Sequence, residues 1–262
     1  MKRFYSGKTA VVTGASRGIG ELVARGLAAE GCRVVLVART HKAIDRIASR
    51  IRADGGEAVA VQGDVREPET ALLACRTAVE KFGKLDIMVN CAGTFIPTEA
   101  ARFKPGPFRE VIETNLLGTI YFCQAALEHM LKARSGRIAN ISSLAGKMTF
   151  SKSAAYSASK FAVIAYSDRL RQELRGTGVK VTTVMPGFTD TEMLEKFRRG
   201  LSNDLYLRVT ASAPERVSRA IVAALPRGPA DLYVTVLDRL VARGAMAYPR
   251  ITDFFVRLVG MG

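Results

Sequence analysis

Tyr156 and Lys160 stand four residues apart in the run Ala154-Ala155-Tyr156-Ser157-Ala158-Ser159-Lys160. On a helix this spacing puts both side chains on one face, one turn apart. A phenol normally keeps its proton to about pH 10. An ammonium group one turn away favours the phenolate and draws that value down. A pair of this kind can give or take a proton in a reaction. An inert pair on a surface helix has the same spacing, so the weight must come from the elements that would hold Tyr156 and Lys160 against something reactive.

The first such element lies at the N-terminus. Lys8 to Thr13 is a short apolar run, followed at once by Gly14-Ala15-Ser16-Arg17-Gly18-Ile19-Gly20 and then by helical periodicity from Glu21 to Glu30. Strand, glycine turn and helix in that order are the setting a dinucleotide-binding turn requires. Gly14 permits the tight turn. Gly18 and Gly20 let backbone approach a pyrophosphate at the helix N-terminus, where free N–H groups and the helix dipole favour anions. The glycine spacing is Gly-x3-Gly-x-Gly rather than Gly-x-Gly-x2-Gly. Arg33 to Ala38 reads as the second strand, whose end would carry an acid if it gripped an unmodified ribose 2′-hydroxyl. Ala38, Arg39 and Thr40 stand there instead. Arg17 and Arg39 could flank a 2′-phosphate, because guanidinium forks suit phosphate oxygens. The expected cofactor is therefore NADP(H).

The alternation continues along the chain. Helices are expected over Ile44–Ala53, Pro68–Phe82, Pro107–Ala133 (with Asn115 inside it), Ser153–Arg175 and Pro214–Leu225. Strands are expected over Glu57–Gln62, Leu85–Val89, Arg137–Ile141, Val179–Met185 and Leu232–Val236. Strands alternating with helices imply an α/β, doubly wound fold: seven strands, mostly parallel, with helices on both faces. Ligands of such sheets lie beyond the C-terminal strand ends, where each of the motifs above falls.

At 262 residues, 48% hydrophobic and 24% charged, the chain suits one large domain spanning 1–262. It contains no linker, low-complexity tract or internal repeat. No apolar leader precedes the first strand and no 18-residue apolar run occurs, so a cytoplasmic location is expected. Cys32, Cys75, Cys91 and Cys123 are far apart, lack CxxC spacing and read as reduced thiols, so no metal site is expected. The net charge of +15 calls for an anionic partner or a generally basic surface. Nucleic acid is not expected, because the basic residues are dispersed rather than clustered with aromatics. Anionic lipid and a phosphorylated cofactor remain open.

Taken together, Thr13 to Gly20, Asp64, Asn90-Cys91-Ala92-Gly93, Asn115, Ser143, Tyr156, Lys160 and Pro186-Gly187 through Thr191 resemble the short-chain dehydrogenases/reductases, in the branch with subunits of about 250 residues. The match covers residues 8 to about 191, in family order. Cys91 departs from it, since the family usually shows a second Asn there. The resemblance implies an Asn115-Ser143-Tyr156-Lys160 tetrad. In it Tyr156 would protonate a carbonyl oxygen as hydride arrives, and Ser143 would hydrogen-bond that oxygen. Lys160 would bind the nicotinamide ribose and keep the tyrosine acidic, and Asn115 would disturb its own helix and hold a relay water. It further implies cofactor contacts from Gly14, Ser16, Arg17, Gly18, Ile19, Gly20, Arg39 and Thr40. Asp64 and Val65 would contact adenine, with Asn90, Ala92, Gly93, Pro186, Gly187, Thr189 and Thr191 lining the rest. Family members pair their two long helices into homodimers and homotetramers.

Beyond Thr191 the match fades. Residues 188–210 should form a substrate lid, with Met193, Leu194 and Phe197 among its charges. Phe95, Phe150 and Phe188 follow motif ends and should line an apolar substrate pocket, together with Ser143 and Tyr156. Residues 237–262 form an amphipathic extension: Leu237, Leu240, Val241, Ile251, Phe254, Phe255, Leu258 and Val259 recur at helical spacing among Arg239, Arg243, Arg250 and Arg257. It could pack on the protein's own body, meet a partner subunit, close the pocket or make peripheral contact with a membrane. The expected activity is NADPH-dependent reduction of a hydrophobic (lipid-, steroid- or acyl-like) ketone to a secondary alcohol, or the reverse. The alternative is a non-catalytic NADP(H)-binding sensor or scaffold.

Overall fold

The computed structural model describes residues 2–198, Leu207 and 210–258. Seven strands form one sheet in the order β3-β2-β1-β4-β5-β6-β7: β1 Thr9–Thr13, β2 Arg33–Ala38, β3 Ala58–Gln62, β4 Ile87–Asn90, β5 Gly136–Ile141, β6 Val179–Met185 and β7 Asp231–Tyr233. All the pairings are parallel, so the expectation of a mostly parallel sheet is met and sharpened. The strand sequences explain why. Every residue of β1 is buried, and strands covered on both faces read as continuous apolar runs instead of alternating ones.

Successive residues still face opposite layers. Val12, Val34 and Leu36 pack under α2 (Gly18–Ala29), α3 (His41–Ala53) and α9 (Pro214–Ala224). Val11, Val35 and Val37 pack under α4 (Pro68–Phe82), α6 (Gly118–Met130) and α7 (Ala154–Glu173). A short N-terminal turn, α1 (Lys2–Tyr5), closes the bottom of the first layer, with the Tyr5 hydroxyl donating to the Val222 carbonyl.

Apart from shifts of one to three residues at element ends, two elements differ from the sequence expectation. The helix expected over Pro107–Ala133 begins at Pro105 and ends at Met130. It is also broken into α5 (Pro105–Ile112), a π-helical turn (Glu113–Leu117) and α6, the local disturbance at Asn115 that the family resemblance implied. The last strand ends at Tyr233, not Val236, because Thr235 starts a helix. Its hydroxyl accepts from the Asp238 N–H, while the Asp238 carboxylate accepts from the Thr235 N–H. This reciprocal cap opens α10 (Val236–Ala247), which is followed by α11 (Pro249–Leu258). Part of the expected lid is α8 (Glu192–Arg198); residues 199–206, 208 and 209 lie outside the described residues, as do 259–262 of the C-terminal extension.

The strand order reverses between β1 and β4. Both end beneath the same crevice, which is where a doubly wound sheet binds its ligand.

Candidate active site

The glycine turn after β1 is held in place by the turn after β4. The Thr13 hydroxyl accepts from the N–H groups of Cys91 and Ala92, both at 3.0 Å. Gly14 has φ +65°, and a Cβ there would lie 2.8 Å from the Ala92 Cα, so only glycine lets the two turns meet. Gly20 packs on the Gly14 carbonyl just as closely. Arg17 occupies the cap position of α2 yet supplies no side-chain cap, which leaves the first N–H groups of the helix directed at the crevice. That geometry fits a phosphate group.

One cleft of about 490 Å³ runs across this end of the sheet. Its walls include Gly14, Ser16, Arg17, Gly18, Ile19, Gly20, Arg39, Thr40, Asp64 and Val65 at one end. In the middle are Ala92, Gly93, Ser143, Tyr156, Lys160, Pro186 and Gly187, with Thr189 and Thr191 beyond them. The sequence brings nearly all of its candidate residues to a single place. Asn90 is the exception among the cofactor candidates. Its side chain is buried and turned into the core, where its amide donates to Asn140 Oδ1 (2.8 Å) and Cys123 Sγ (3.3 Å).

Toward the middle of the cleft, α7 presents Tyr156 and Lys160 on one face as their spacing requires. The Lys160 ammonium is buried, donates to the Ile141 carbonyl at 2.8 Å and lies 5.6 Å from the centre of the Tyr156 ring. Burial draws its pKa down to about 8. The tyrosine does not follow the simple expectation. Burial pushes the phenol up to about 12, and the hydroxyl of Ser143 offsets only part of that. In the protein as it stands desolvation outweighs the neighbouring ammonium, so Tyr156 keeps its proton at neutral pH. The Ser143 oxygen accepts from the Ala145 N–H at 3.1 Å, which fixes it at the start of a single helical turn (Leu144–Gly146). Its own O–H remains available toward Tyr156 and the cleft. Adjacent Ser142 is structural: its hydroxyl donates to the Lys160 carbonyl at 2.9 Å and ties β5 to α7.

Asn115 lies in the π turn, fully buried and off the cleft wall. Its oxygen accepts from the Thr94 N–H (2.8 Å). Its amide donates to the Thr94 carbonyl and to Ser159 Oγ (both 3.0 Å). Both amide hydrogens are therefore engaged, and Asn115 joins the loop after β4 to the helix that carries Tyr156.

The far wall is aromatic. Phe95 meets Tyr156 edge-on at 5.6 Å, and Phe150 meets Phe188 at 5.2 Å. Phe197, from α8, contacts Phe95, Phe150 and Phe188 at 5.5–6.1 Å. Leu194, Leu207 and Val256 complete the cluster. The roles of Phe197 as the hub of this wall and of Thr13 as the clamp between the two turns were not visible as site functions from the sequence. Arg17 differs from expectation too: its guanidinium pairs with Glu192 of α8 at 2.8 Å, both groups being largely exposed, across the mouth of the cleft. Arg39 flanks the same end of the cleft.

A parallel doubly wound sheet, a glycine turn at its switch point and a Ser-Tyr-Lys constellation beside it define a nicotinamide-dependent oxidoreductase. The chain belongs to the short-chain dehydrogenase family, whose model matches residues 8–202. Among curated relatives, a 3-oxoacyl-[acyl-carrier-protein] reductase of Synechocystis sp. is 38% identical over 87% of this chain and 92% of its own length. The ketoacyl reductase HetN of Nostoc sp. is 35% identical over 87% of this chain and 79% of its own. An uncharacterized oxidoreductase of Staphylococcus epidermidis is 37% identical over 72% and 80% respectively. The protein is an oxidoreductase of the type that acts on alcohol and carbonyl groups.

Proposed function

We propose that the protein is an NADPH-dependent ketoreductase that converts an apolar ketone, of acyl, lipid or steroid type, to a secondary alcohol. The observation that carries this reading is the single cleft, which joins an uncapped helix N-terminus and two arginines at one end to an aromatic wall at the other, with Ser143 and Tyr156 between them. The names of the Synechocystis and Nostoc relatives, both reductases of oxo groups on acyl chains, support the direction of the reaction.

The glycine turn would hold the cofactor's pyrophosphate, Arg17 and Arg39 its 2′-phosphate, Asp64 and Val65 its adenine, and Lys160 its nicotinamide ribose. When bound, the nicotinamide supplies hydride. The chain's own groups do the rest. Ser143, its oxygen fixed by Ala145, donates its O–H to the substrate carbonyl and stabilises charge as it develops there. Tyr156, still protonated at neutral pH, gives its proton to the same oxygen. A phenol held in its acid form suits reduction better than oxidation, which would need it as a base. Asn115 positions Thr94 and Ser159 and, through them, the loop and helix that frame the cleft. Phe95, Phe150, Phe188 and Phe197 exclude water from the reacting carbonyl. Assembly as a homodimer or homotetramer in the cytoplasm, through α5–α6 and α7, belongs to the same proposal.

Fluorescence titration with NADPH and NADH tests the cofactor assignment. The wild type should bind NADPH more tightly. Arg17→Ala and Arg39→Ala should each weaken NADPH by about tenfold or more, the worth of a charge-assisted hydrogen bond, and leave NADH unchanged. Tighter NADH binding would overturn the roles given to both arginines. A panel of 3-oxoacyl thioesters, steroids, sphingoid ketones and retinoids then identifies the substrate class.

A further inference from the structure

The two C-terminal helices carry large apolar side chains that are more than half exposed. Val236, Leu237, Leu240 and Met246 of α10 are exposed, Leu240 at 62% of its surface, and so are Ile251 and Phe254 of α11, Ile251 at 54%. Their arrangement is regular. At 3.6 residues per turn Val236, Leu240 and Ala247 fall on one line of α10, with Arg239 and Arg243 along its flank. On α11, Ile251 and Phe254 form a matching stripe beside Arg250 and Arg257. All four arginines are exposed, and among the described residues none forms an ion pair.

The opposite faces anchor the pair to the site already described. Val256 of α11 is buried in the cluster of Phe95, Leu194, Phe197 and Leu207. The Asp238 carboxylate of α10 packs directly on Gly187 in the floor of the cleft.

We propose that α10 and α11 dock the protein on an anionic membrane surface, with their apolar stripes set among the acyl chains and Arg239, Arg243, Arg250 and Arg257 on lipid phosphates. An apolar stripe edged by cations is the form of an interfacial helix, whose binding combines buried apolar area with attraction to anionic lipid. A second copy of the chain suits this face less well: an isologous contact sets each patch against itself, so these arginines would crowd their own counterparts, on a protein with a net charge of +15. Among the described residues no helix is long and apolar enough to cross a membrane, so the contact is peripheral. If the substrate is the apolar ketone proposed above, docking brings the bilayer beside the aromatic wall of the cleft.

Sedimentation of the full chain with vesicles tests the docking. Wild type should pellet with vesicles containing roughly 30% phosphatidylglycerol in phosphatidylcholine at low salt, and be released as salt rises. Replacing Arg239, Arg243, Arg250 and Arg257 together by Gln should weaken binding by about fivefold per charge, or several hundredfold in all. Leu240→Asp with Ile251→Asp should abolish it. NADPH titration serves as the folding control for every variant, since none of these residues lines the cleft. Failure of wild type to pellet with anionic vesicles overturns the proposal, as does undiminished binding by the Gln variant. A wild-type dimer that ignores vesicles and becomes monomeric in the Leu240→Asp/Ile251→Asp variant reassigns the face to self-association. Vesicle binding retained without turnover of any ketone in the panel sinks the ketoreductase assignment and leaves the docking standing.

Discussion

Gly20 is where the glycine turn after β1 makes its sharpest demand. Built as alanine, its Cβ would clash hardest with the Gly14 carbonyl oxygen and would stand 2.8 Å from the carbonyl carbon of Gly14 and 3.2 Å from the Thr13 oxygen. A relaxed carbon–carbon contact is roughly 3.6 Å, so the glycine turn must open by about 0.8 Å at the least. The obstacle is the Thr13–Gly14 backbone, which cannot rotate away. Overpacking of this kind costs about 1–3 kcal/mol. If the turn opens, the cost falls on the cofactor, and NADPH should bind about 5- to 150-fold more weakly in a fluorescence titration. If α2 shifts instead, the melting temperature should fall by about 2–12 °C. Gly55→Ala is the control for strain without a clash. Unlike Gly20 it has a positive φ (+86°), so alanine strains its backbone, but nothing lies within 4 Å of its Cβ position and it is remote from the cleft, so it should cost stability alone. Gly20→Ala that binds NADPH and melts like wild type would refute the reasoning, and so would equal loss of binding in Gly55→Ala.

Two further predictions concern ionisation. Burial pushes the thiols of Cys32, Cys75 and Cys123 up to about 12, so at pH 8 only about one in ten thousand is a thiolate. A disulfide reagent should leave these three unlabelled for hours in the native protein and titrate four thiols on denaturation, Cys91 being part-exposed in the cleft wall; rapid labelling of Cys32, Cys75 or Cys123 in the native state would contradict the burial. Lys160 gives a stability signature. Its pKa in the fold is about 8, against an ordinary lysine value of 10.5. The folded state therefore holds fewer protons than the unfolded one between those values, and stability must rise with pH across that window. Below pH 8 the penalty is fully present. Measured against Lys160→Met, wild type should gain about 2 kcal/mol in urea melts between pH 7 and 9.5; a constant or falling difference would show that the ammonium is not desolvated.

Much of this site can be read in the chain because its signals are local. The Gly14–Gly20 turn, the absence of an acid after Ala38 and the four-residue step from Tyr156 to Lys160 each need only neighbouring residues to be recognised. So do the strands, whose apolar runs mark them as buried on both faces. What escaped the sequence depends on distant partners. That Asn115 disturbs its own helix was implied by the family resemblance, but its partners Thr94 and Ser159 lie more than 20 and 40 residues away. The end of β7 is a different case: the helix cap that decides it joins Thr235 and Asp238, only three residues apart, and competes with the strand tendency of the same stretch. The Arg17–Glu192 pair exists only because α8 folds over the glycine turn. The acidity of Tyr156 is the instructive case. Spacing identifies the charged neighbour, but only the fold reveals how far the phenol and that neighbour are both withdrawn from water, and the second effect is the larger.

The central claim is that the Tyr156 hydroxyl delivers the proton to a carbonyl on which Ser143 already holds a hydrogen bond. Tyr156→Phe removes one oxygen and leaves the aromatic contact with Phe95 in place. NADPH oxidation should be followed with the best ketone of the panel, and NADPH affinity titrated alongside. Loss of general acid catalysis should lower turnover by about 100- to 10,000-fold, with NADPH bound within a few-fold of wild type. Turnover that survives the substitution unchanged would contradict the account.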